Sequence, residues 1–213
     1  MYVTVHLGIG LPKTISRVLP RRNAQSIQHF RGSTALTIYL ADDFCFFSDN
    51  LLVHLQVLDI YYFESLRNPR ILTRFASKIV EVVGGDAIIS LDIETRDINP
   101  SHGMWEVLLH GLPRLERIRY DHIGEEEGPL ANSFVLVFSR FFEGSPVCPL
   151  LQRLELPKGM LTQDASVTVL KCALAEREAC GRRLKWIGLS CDATEVGDRL
   201  VLEPFRDLVD EVE

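Results

Sequence analysis

The sequence predicts an α/β protein of the solenoid type, in which short parallel strands alternate with helices and each unit packs against the next. Three observations support this fold class. Leucine-type residues recur at positions i, i+3 and i+5, a spacing that fits neither an amphipathic helix nor a simple alternating strand. Stretches of helical periodicity separate these triplets. Finally, 46% of the residues are hydrophobic, which is enough for one continuous core.

The clearest triplet is Leu151, Leu154 and Leu156. This LxxLxL spacing is typical of a leucine-rich repeat, in which a short strand joins a stacked parallel sheet and buries its leucines against neighbouring units. We therefore expect a parallel sheet with helices on its convex side and a concave face left open. The predicted copies are Ala35/Ile38/Leu40, Leu55/Leu58/Ile60, Ile88/Leu91/Ile93, Leu115/Ile118/Tyr120, Leu151/Leu154/Leu156 and Leu184/Ile187/Leu189.

Helical patterns fill the gaps between these copies, because parallel neighbours need a crossover connection. Ser101 is the expected N-cap of the second helix, and either Asp164 or Ser166 caps the fourth. Gly111 and Gly181 are the expected stops of these two helices. The apolar stripes are Ile71/Phe75/Ile79, Trp105/Leu108/Leu109, Leu130/Phe134/Val137/Phe138/Phe141 and Val167/Leu170/Leu174.

The two ends of the chain differ in how clearly their sequence predicts structure. Residues 1–33 form a poorly defined N-terminal segment, with a weak helical pattern at Ile15, Val18 and Leu19. Residues 34–213 form the predicted repeat domain. Its last segment begins at Pro204 and places Phe205 on the apolar side, so we expect a C-terminal helix that caps the open end of the stack.

Composition excludes several classes of function. A net charge of -6 argues against nucleic acid as a partner, because phosphate binding needs clustered basic residues. The longest apolar run, residues 134–138, is too short to span a bilayer, and residues 1–10 lack a signal-peptide pattern. Five cysteines without a CxxC pair indicate reduced thiols. We therefore expect an intracellular protein, cytoplasmic or nuclear, without a membrane partner.

Three stretches carry a family resemblance: residues 105–118 (WEVLLHGLPRLERI), 148–156 (CPLLQRLEL) and 175–189 (AEREACGRRLKWIGL). They resemble the C-terminal half of fungal F-box proteins with degenerate leucine-rich repeats. Residues 30–38 also look like the segment that opens the repeats in those proteins. The resemblance implies the substrate-recognition subunit of an SCF-type ubiquitin ligase, whose F-box binds the adaptor while the repeats hold a target.

The F-box itself is not found in this sequence. Its opening motif, Leu-Pro-x-Glu, is matched only by Leu11 and Pro12, because Thr14 stands where the acid is required. We therefore expect binding to the SCF adaptor only if an F-box lies outside this chain. No functional residue can be carried over from the family.

A repeat surface binds through the x positions of LxxLxL, which point away from the core. One predicted row is Tyr39, Asp59, Asp92, Arg119, Glu155 and Gly188, and its neighbour is Thr37, Val57, Ser90, Arg117, Arg153 and Trp186. Arginine and tryptophan are favoured at binding hot spots. The partner-binding candidates are Tyr39, Asp59, Asp92, Arg117, Arg119, Arg153, Glu155 and Trp186. The alternative is that these are ordinary solvated strand positions.

Catalytic, metal and cofactor sites are not predicted. His102 and His110 are eight residues apart rather than four, and no glycine-rich phosphate loop occurs. The favoured interpretation is a non-enzymatic module that binds another protein, whose identity the sequence does not show. A degenerate or truncated structural remnant without adaptor binding is the alternative, and an α/β enzyme ranks last.

Overall fold

The computed structural model describes residues 2–7, 33–40, 43–48, 51–57, 69–96, 98–123, 132–142, 144–161, 164–190 and 201–212. The strands in this part of the chain are β1 Tyr2–Leu7, β2 Ala35–Leu40, β3 Asp43–Ser48, β4 Leu51–Val57, β5 Ser90–Arg96, β6 Arg117–Ile123, β7 Phe141–Phe142, β8 Ser145–Pro146, β9 Arg153–Leu156, β10 Leu184–Leu189 and β11 Val209–Val212. The α-helices in this part of the chain include α1 Pro69–Val83, α2 His102–Gly111, α3 Asn132–Phe138, α4 Lys158–Leu161 and α5 Asp164–Ala179.

Nine of these strands form one sheet in the order β1-β4-β3-β2-β5-β6-β9-β10-β11, and β7 and β8 form a separate hairpin. Six strands, β2, β5, β6, β9, β10 and β11, lie side by side in that order, and each pair of neighbours is parallel. Leu91 is opposite Ile118, Ile118 opposite Leu154, and Leu154 opposite Ile187. The prediction of an α/β protein with a parallel sheet is therefore confirmed.

Four strands enter this sheet through the same hydrogen-bond pattern. The backbone N–H groups of Ile89 and Ser90 both donate to the carbonyl oxygen of Thr34, over 2.8 and 3.0 Å. Two successive N–H groups that share one acceptor indicate an extra residue in the strand, as in a β-bulge. The other three cases are Glu116 and Arg117 on Ile89, Gln152 and Arg153 on Glu116, and Lys185 and Trp186 on Gln152.

This repeated kink explains the i, i+3, i+5 spacing. Successive side chains on a regular strand alternate between two faces, so residues i and i+3 would point to opposite sides. The extra residue restores residue i to the core side. Ile88, Leu115, Leu151 and Leu184 accordingly are all almost fully buried.

The helices form a layer in chain order: α1 packs on α2, α2 on α3, and α3 on α5. Their apolar residues and those of the parallel strands belong to one core cluster. At its centre the ring of Trp105 meets Tyr120 at 5.0 Å and Phe134 at 4.9 Å, both nearly edge to face. Such pairs add about 1 kcal/mol each beyond area burial, so they tie α2 and α3 to β6.

Ser101 caps α2 as predicted, because its hydroxyl accepts a hydrogen bond from the N–H of Met104. Helix α1 contains the whole of its predicted apolar stripe, Ile71, Phe75 and Ile79. The third helix is shorter than predicted. It ends at Phe138, and Phe141 lies in β7, where it pairs with Pro146 of β8.

The predicted register of the first repeat is wrong. Leu36 is opposite Leu91 and Ile38 is opposite Ile93, so the unit is Ser33/Leu36/Ile38 rather than Ala35/Ile38/Leu40. Ser33 is fully buried and occupies the position that a leucine-type residue takes in the later units. The hydrophobic triplet two residues further along had concealed this substitution.

The second predicted copy, Leu55/Leu58/Ile60, is not a neighbour of the first. Leu55 lies in β4, which pairs antiparallel with β3 and parallel with β1, while β2 pairs directly with β5. Only two residues separate β2 from β3 and β3 from β4, and connections that short require antiparallel neighbours. Leu58 and Ile60 lie outside the described residues.

The chain ends also depart from expectation. The predicted C-terminal capping helix is wrong: after a 3-10 turn at Glu203–Phe205, the chain forms β11, which pairs parallel with β10. A strand at this edge satisfies backbone groups of β10 that a helix would leave unpaired. At the other edge, β1 lies in the segment expected to be poorly defined, while the helix predicted near Ile15 lies outside the described residues.

Candidate binding face of the sheet

The face of the parallel sheet opposite the helices carries a cluster of charged and aromatic side chains. We call this surface the charged face and define it by Asp92, Arg117, Arg119, Asp121, Arg153, Glu155 and Trp186. These residues alternate along their strands with residues such as Ile118 and Leu154, which are fully buried in the core.

Strand register brings the predicted rows together. Ser90, Arg117, Arg153 and Trp186 lie side by side near the starts of four adjacent strands, and the row ends at Glu211 of β11. Asp92, Arg119, Glu155 and Gly188 form the next row. The rows predicted from LxxLxL are therefore present from β5 onward, because these strands share the same kinked entry.

Two of the predicted partner-binding candidates do not join these rows. Tyr39 is opposite Glu94 rather than Asp92, because β2 is shifted by two residues relative to the expected register. Thr37 takes the position opposite Asp92 instead. Asp59 lies outside the described residues.

Glu155 is the centre of the ion-pair network. Arg117 donates to Glu155 Oε1 from Nε at 3.2 Å and from a terminal nitrogen at 3.0 Å. Arg119 Nε lies 3.6 Å from Glu155 Oε2. The Glu155 side chain is only 12% exposed, whereas those of Arg117 and Arg119 are 43% and 44% exposed. The acid is thus covered by two arginines whose side chains are partly exposed to solvent.

A second network extends toward the carboxyl ends of the strands. Arg119 donates to the carbonyl oxygen of Ser190 at 3.1 Å, and the Ser190 hydroxyl donates to Asp121 Oδ1 at 3.2 Å. Neither Asp121 nor Ser190 was predicted as a site residue. Continuing the alternation two residues past Arg119 and Gly188 would have found both.

Asp92 lies between the arginines and the first strands. Burial raises the pKa of Asp92, while the positive charges of Arg117 and Arg119 act in the opposite direction. Its Oδ1 atom is buried and has no hydrogen-bond partner among the described residues. Asp92 is therefore held by the field of the arginines rather than by directional bonds at this oxygen.

Arg153 and Trp186 form the aromatic end of the face. The guanidinium carbon of Arg153 lies 4.6 Å from the centroid of the Trp186 ring, a cation–π arrangement. Arg153 is exposed, whereas Trp186 is 8% exposed. The indole is thus a buried platform, and the guanidinium on it is open to solvent.

Two other features of the described part of the chain bear on the class of site. Its His, Cys, Asp and Glu side chains include no group of three or more that could hold a metal ion. Its helices include none that is long and apolar enough to cross a membrane.

The fold and the charged face define an α/β protein with six neighbouring parallel strands, a layer of helices and an arginine-rich surface on the opposite face. Comparison with protein-family models, curated proteins and solved structures finds no match to this chain.

Proposed function

We propose that this chain is a non-enzymatic protein-interaction module, built as a leucine-rich-repeat-like solenoid, that binds another protein through the charged face. The observation that carries the proposal is the row of Arg117, Arg153 and Trp186 on three adjacent strands. Arginine and tryptophan side chains contribute more to protein interfaces than most residues do. A rigid sheet that holds them side by side reduces the entropy lost on binding.

The solenoid assignment is supported by the repeated strand entry. Ile89, Glu116 and Gln152 each offer one carbonyl oxygen to two successive N–H groups of the next strand. Repetition of one local geometry between neighbouring units is what a solenoid requires, because each unit buries its apolar face only against the next.

A narrower form of the proposal follows from the resemblance to F-box proteins. The module would be the substrate-recognition region of an SCF-type ubiquitin ligase, working in the cytoplasm or nucleus. Contact with the adaptor would then depend on an F-box outside this chain. The purified adaptor should accordingly fail to bind this chain in a direct binding assay, and measurable binding would contradict this form of the proposal.

Site-specific photo-crosslinking in an extract of the source organism tests the broader proposal. A photoreactive amino acid is placed at Thr37, in the row of Asp92, and in a matched protein at Ser77, which is exposed on α1. We expect discrete protein adducts from position 37 only. Excess unlabelled wild-type chain should suppress them, and excess chain carrying Arg117→Glu and Arg153→Glu should not.

If both chains suppress the adducts equally, the charged face is not the binding surface. If position 37 gives no adduct that the wild-type chain suppresses, the interpretation as a structural remnant is favoured.

A further inference from the structure

The positive charges on the charged face are not neutralised evenly. Arg117 and Arg153 are direct neighbours on adjacent strands. Like charges in that position repel each other, and a nearby anion offsets this repulsion. Glu155 supplies an anion to Arg117 through two hydrogen bonds, but Arg153 forms no ion pair within the described part of the chain. Glu116, the residue before Arg117 in the chain, likewise forms no ion pair with another described residue. Among the described residues, Arg153 is thus a cation without a counter-charge.

The stack on Trp186 leaves Arg153 ready to bind an anion. The indole covers one flat side of the guanidinium, at 4.6 Å, while the N–H groups lie in the guanidinium plane and remain available at its edges. The planar fork of arginine matches the two oxygens of a carboxylate. Because the stack restricts the side chain beforehand, less conformational entropy is lost when an anion binds.

The surrounding charges place the anion on one side of this stack. Trp186 is followed in its row by Glu211 of β11, which repels an anion there. On the opposite side stands Arg117, which is 43% exposed and uses only Nε and one terminal nitrogen on Glu155. The favoured position is therefore between Arg117 and Arg153.

The extent of the positive surface limits the ligand to a short anionic segment. Four residues along the strands from the row of Arg117, Glu94 and Asp121 are neighbours, and Tyr39 is opposite Glu94. A long polyanion such as nucleic acid would cross these acids, and the whole chain carries a net charge of -6. A short acidic stretch of a peptide can contact the arginines and avoid them.

We propose that the charged face binds an acidic peptide segment, with a glutamate or aspartate carboxylate seated between Arg117 and Arg153 and the peptide chain passing beside Trp186. This inference rests on the proposed function, because it names the chemistry of the partner for the same surface.

Trp186 provides a local probe for the test. The second tryptophan, Trp105, is buried in the core, so its emission should stay constant when a peptide binds. Intrinsic fluorescence of the full chain is titrated with a blocked peptide of four consecutive glutamates. The same sequence with four glutamines and with four phosphoserines is titrated in parallel. We expect saturable binding of the glutamate peptide, weakened by added salt, and none of the glutamine peptide.

Three variants separate the proposed contact from general electrostatics. Arg153→Gln should weaken binding about tenfold or more, because it removes a charge-assisted bidentate contact. Arg153→Lys keeps the charge but loses the fork, so it should be intermediate. Arg140→Gln is the matched control: Arg140 is exposed and pairs with Glu106 of α2 at 3.1 Å, away from the charged face, and this variant should bind like wild type.

Each contrary outcome overturns the proposal. Equal weakening by Arg153→Gln and Arg140→Gln would show that net charge alone drives binding. Binding of the phosphoserine peptide without the glutamate peptide would show that phosphate, not carboxylate, is the ligand. No binding of the glutamate peptide would also overturn it. If the crosslinking from position 37 still succeeds in that last case, the partner-binding role stands and only the acidic chemistry fails.

Discussion

The guanidinium of Arg177 on α5 donates a hydrogen bond of 3.0 Å to the carbonyl oxygen of Cys148, and both residues are almost completely buried. Arg177 also donates to the carbonyl oxygen of Val147 at 2.8 Å and lies 5.2 Å from the centroid of the Phe138 ring. Cys148 has a positive φ of 50°, which turns the chain sharply before β9. One helix residue thus holds the turn that leads into a strand of the charged face.

Replacing Arg177 with methionine should lower the free energy of unfolding by about 3 kcal/mol or more, since it strips donors from at least two buried carbonyl oxygens. Urea unfolding followed by circular dichroism measures the loss. Arg182→Met, at an exposed position shortly after α5, is the control and should stay within about 0.5 kcal/mol of wild type. Equal stability of the two variants would show that the carbonyl contacts contribute nothing net.

Alkaline pH should destabilise the fold through two buried acids. Burial raises the pKa of the Cys148 thiol from 9.0 to about 12, and it raises the pKa of Tyr120 from 10.0 to about 12. In the unfolded chain both groups lose protons that the folded chain retains. Their contribution to stability is therefore fully present below about pH 9 and is lost as pH rises from there to about 12.

Urea unfolding at neutral pH and at about pH 10.5 measures this effect. Cys148→Ala and Tyr120→Phe should each reduce the fall in unfolding free energy between the two pH values, because each removes one of the titrating groups. A fall of unchanged size in both variants would assign the alkaline sensitivity to other groups.

Close packing of α2 against the turn after α1 should make Gly85 intolerant of any side chain. A Cβ atom on Gly85 would overlap the carbonyl oxygen of Gly111, which is backbone and cannot move aside alone. Gly85→Ala should therefore cost about 3 kcal/mol or more in unfolding free energy.

Gly84→Ala is the matched comparison for that substitution. Gly84 has a φ of 71°, and a Cβ atom added there would meet nothing within 4 Å, so only the backbone conformation opposes alanine. The expected cost is about 1 kcal/mol. Chemical denaturation of both variants gives the difference, and a larger loss for Gly84→Ala than for Gly85→Ala would contradict the packing explanation.

Attachment of β11 should depend on Arg183. This residue donates to the carbonyl oxygens of Asp207 at 3.1 Å and Val209 at 2.9 Å, and its Nε lies 3.0 Å from Asp210 Oδ1. Arg183→Gln should increase amide hydrogen exchange in β11 about tenfold, through local opening at this edge, while the amides of β5 and β6 keep their rates.

Arg206→Gln serves as the control for the edge strand. Arg206 makes an ion pair with Glu203, within the same turn and largely exposed, so its loss should leave β11 protected. Faster exchange throughout the sheet in Arg183→Gln would show global destabilisation instead of local opening.

Local sequence pattern by itself determined the parallel strands β5, β6, β9 and β10 and the helices that alternate with them. Spacing such as Leu151, Leu154 and Leu156 encodes which side chains of one strand face the core, and that property depends only on residues close in the chain. The same spacing also placed Arg117, Arg153 and Trp186 in one row, because units with the same entry geometry align in register.

Tertiary structure alone decided what depends on distant partners. The register of β2 places Ser33 in a buried position of the first unit, and β4 joins a hairpin instead of the parallel series, since strand pairing is a contact between segments far apart in the chain. Arg177 looks like an ordinary surface residue in the sequence, yet it is buried because carbonyl oxygens from a distant turn receive its donors. The C-terminal residues likewise form a strand beside β10. Pairing with the free backbone groups at the edge of β10 is more favourable than the helix that the weak apolar pattern predicted.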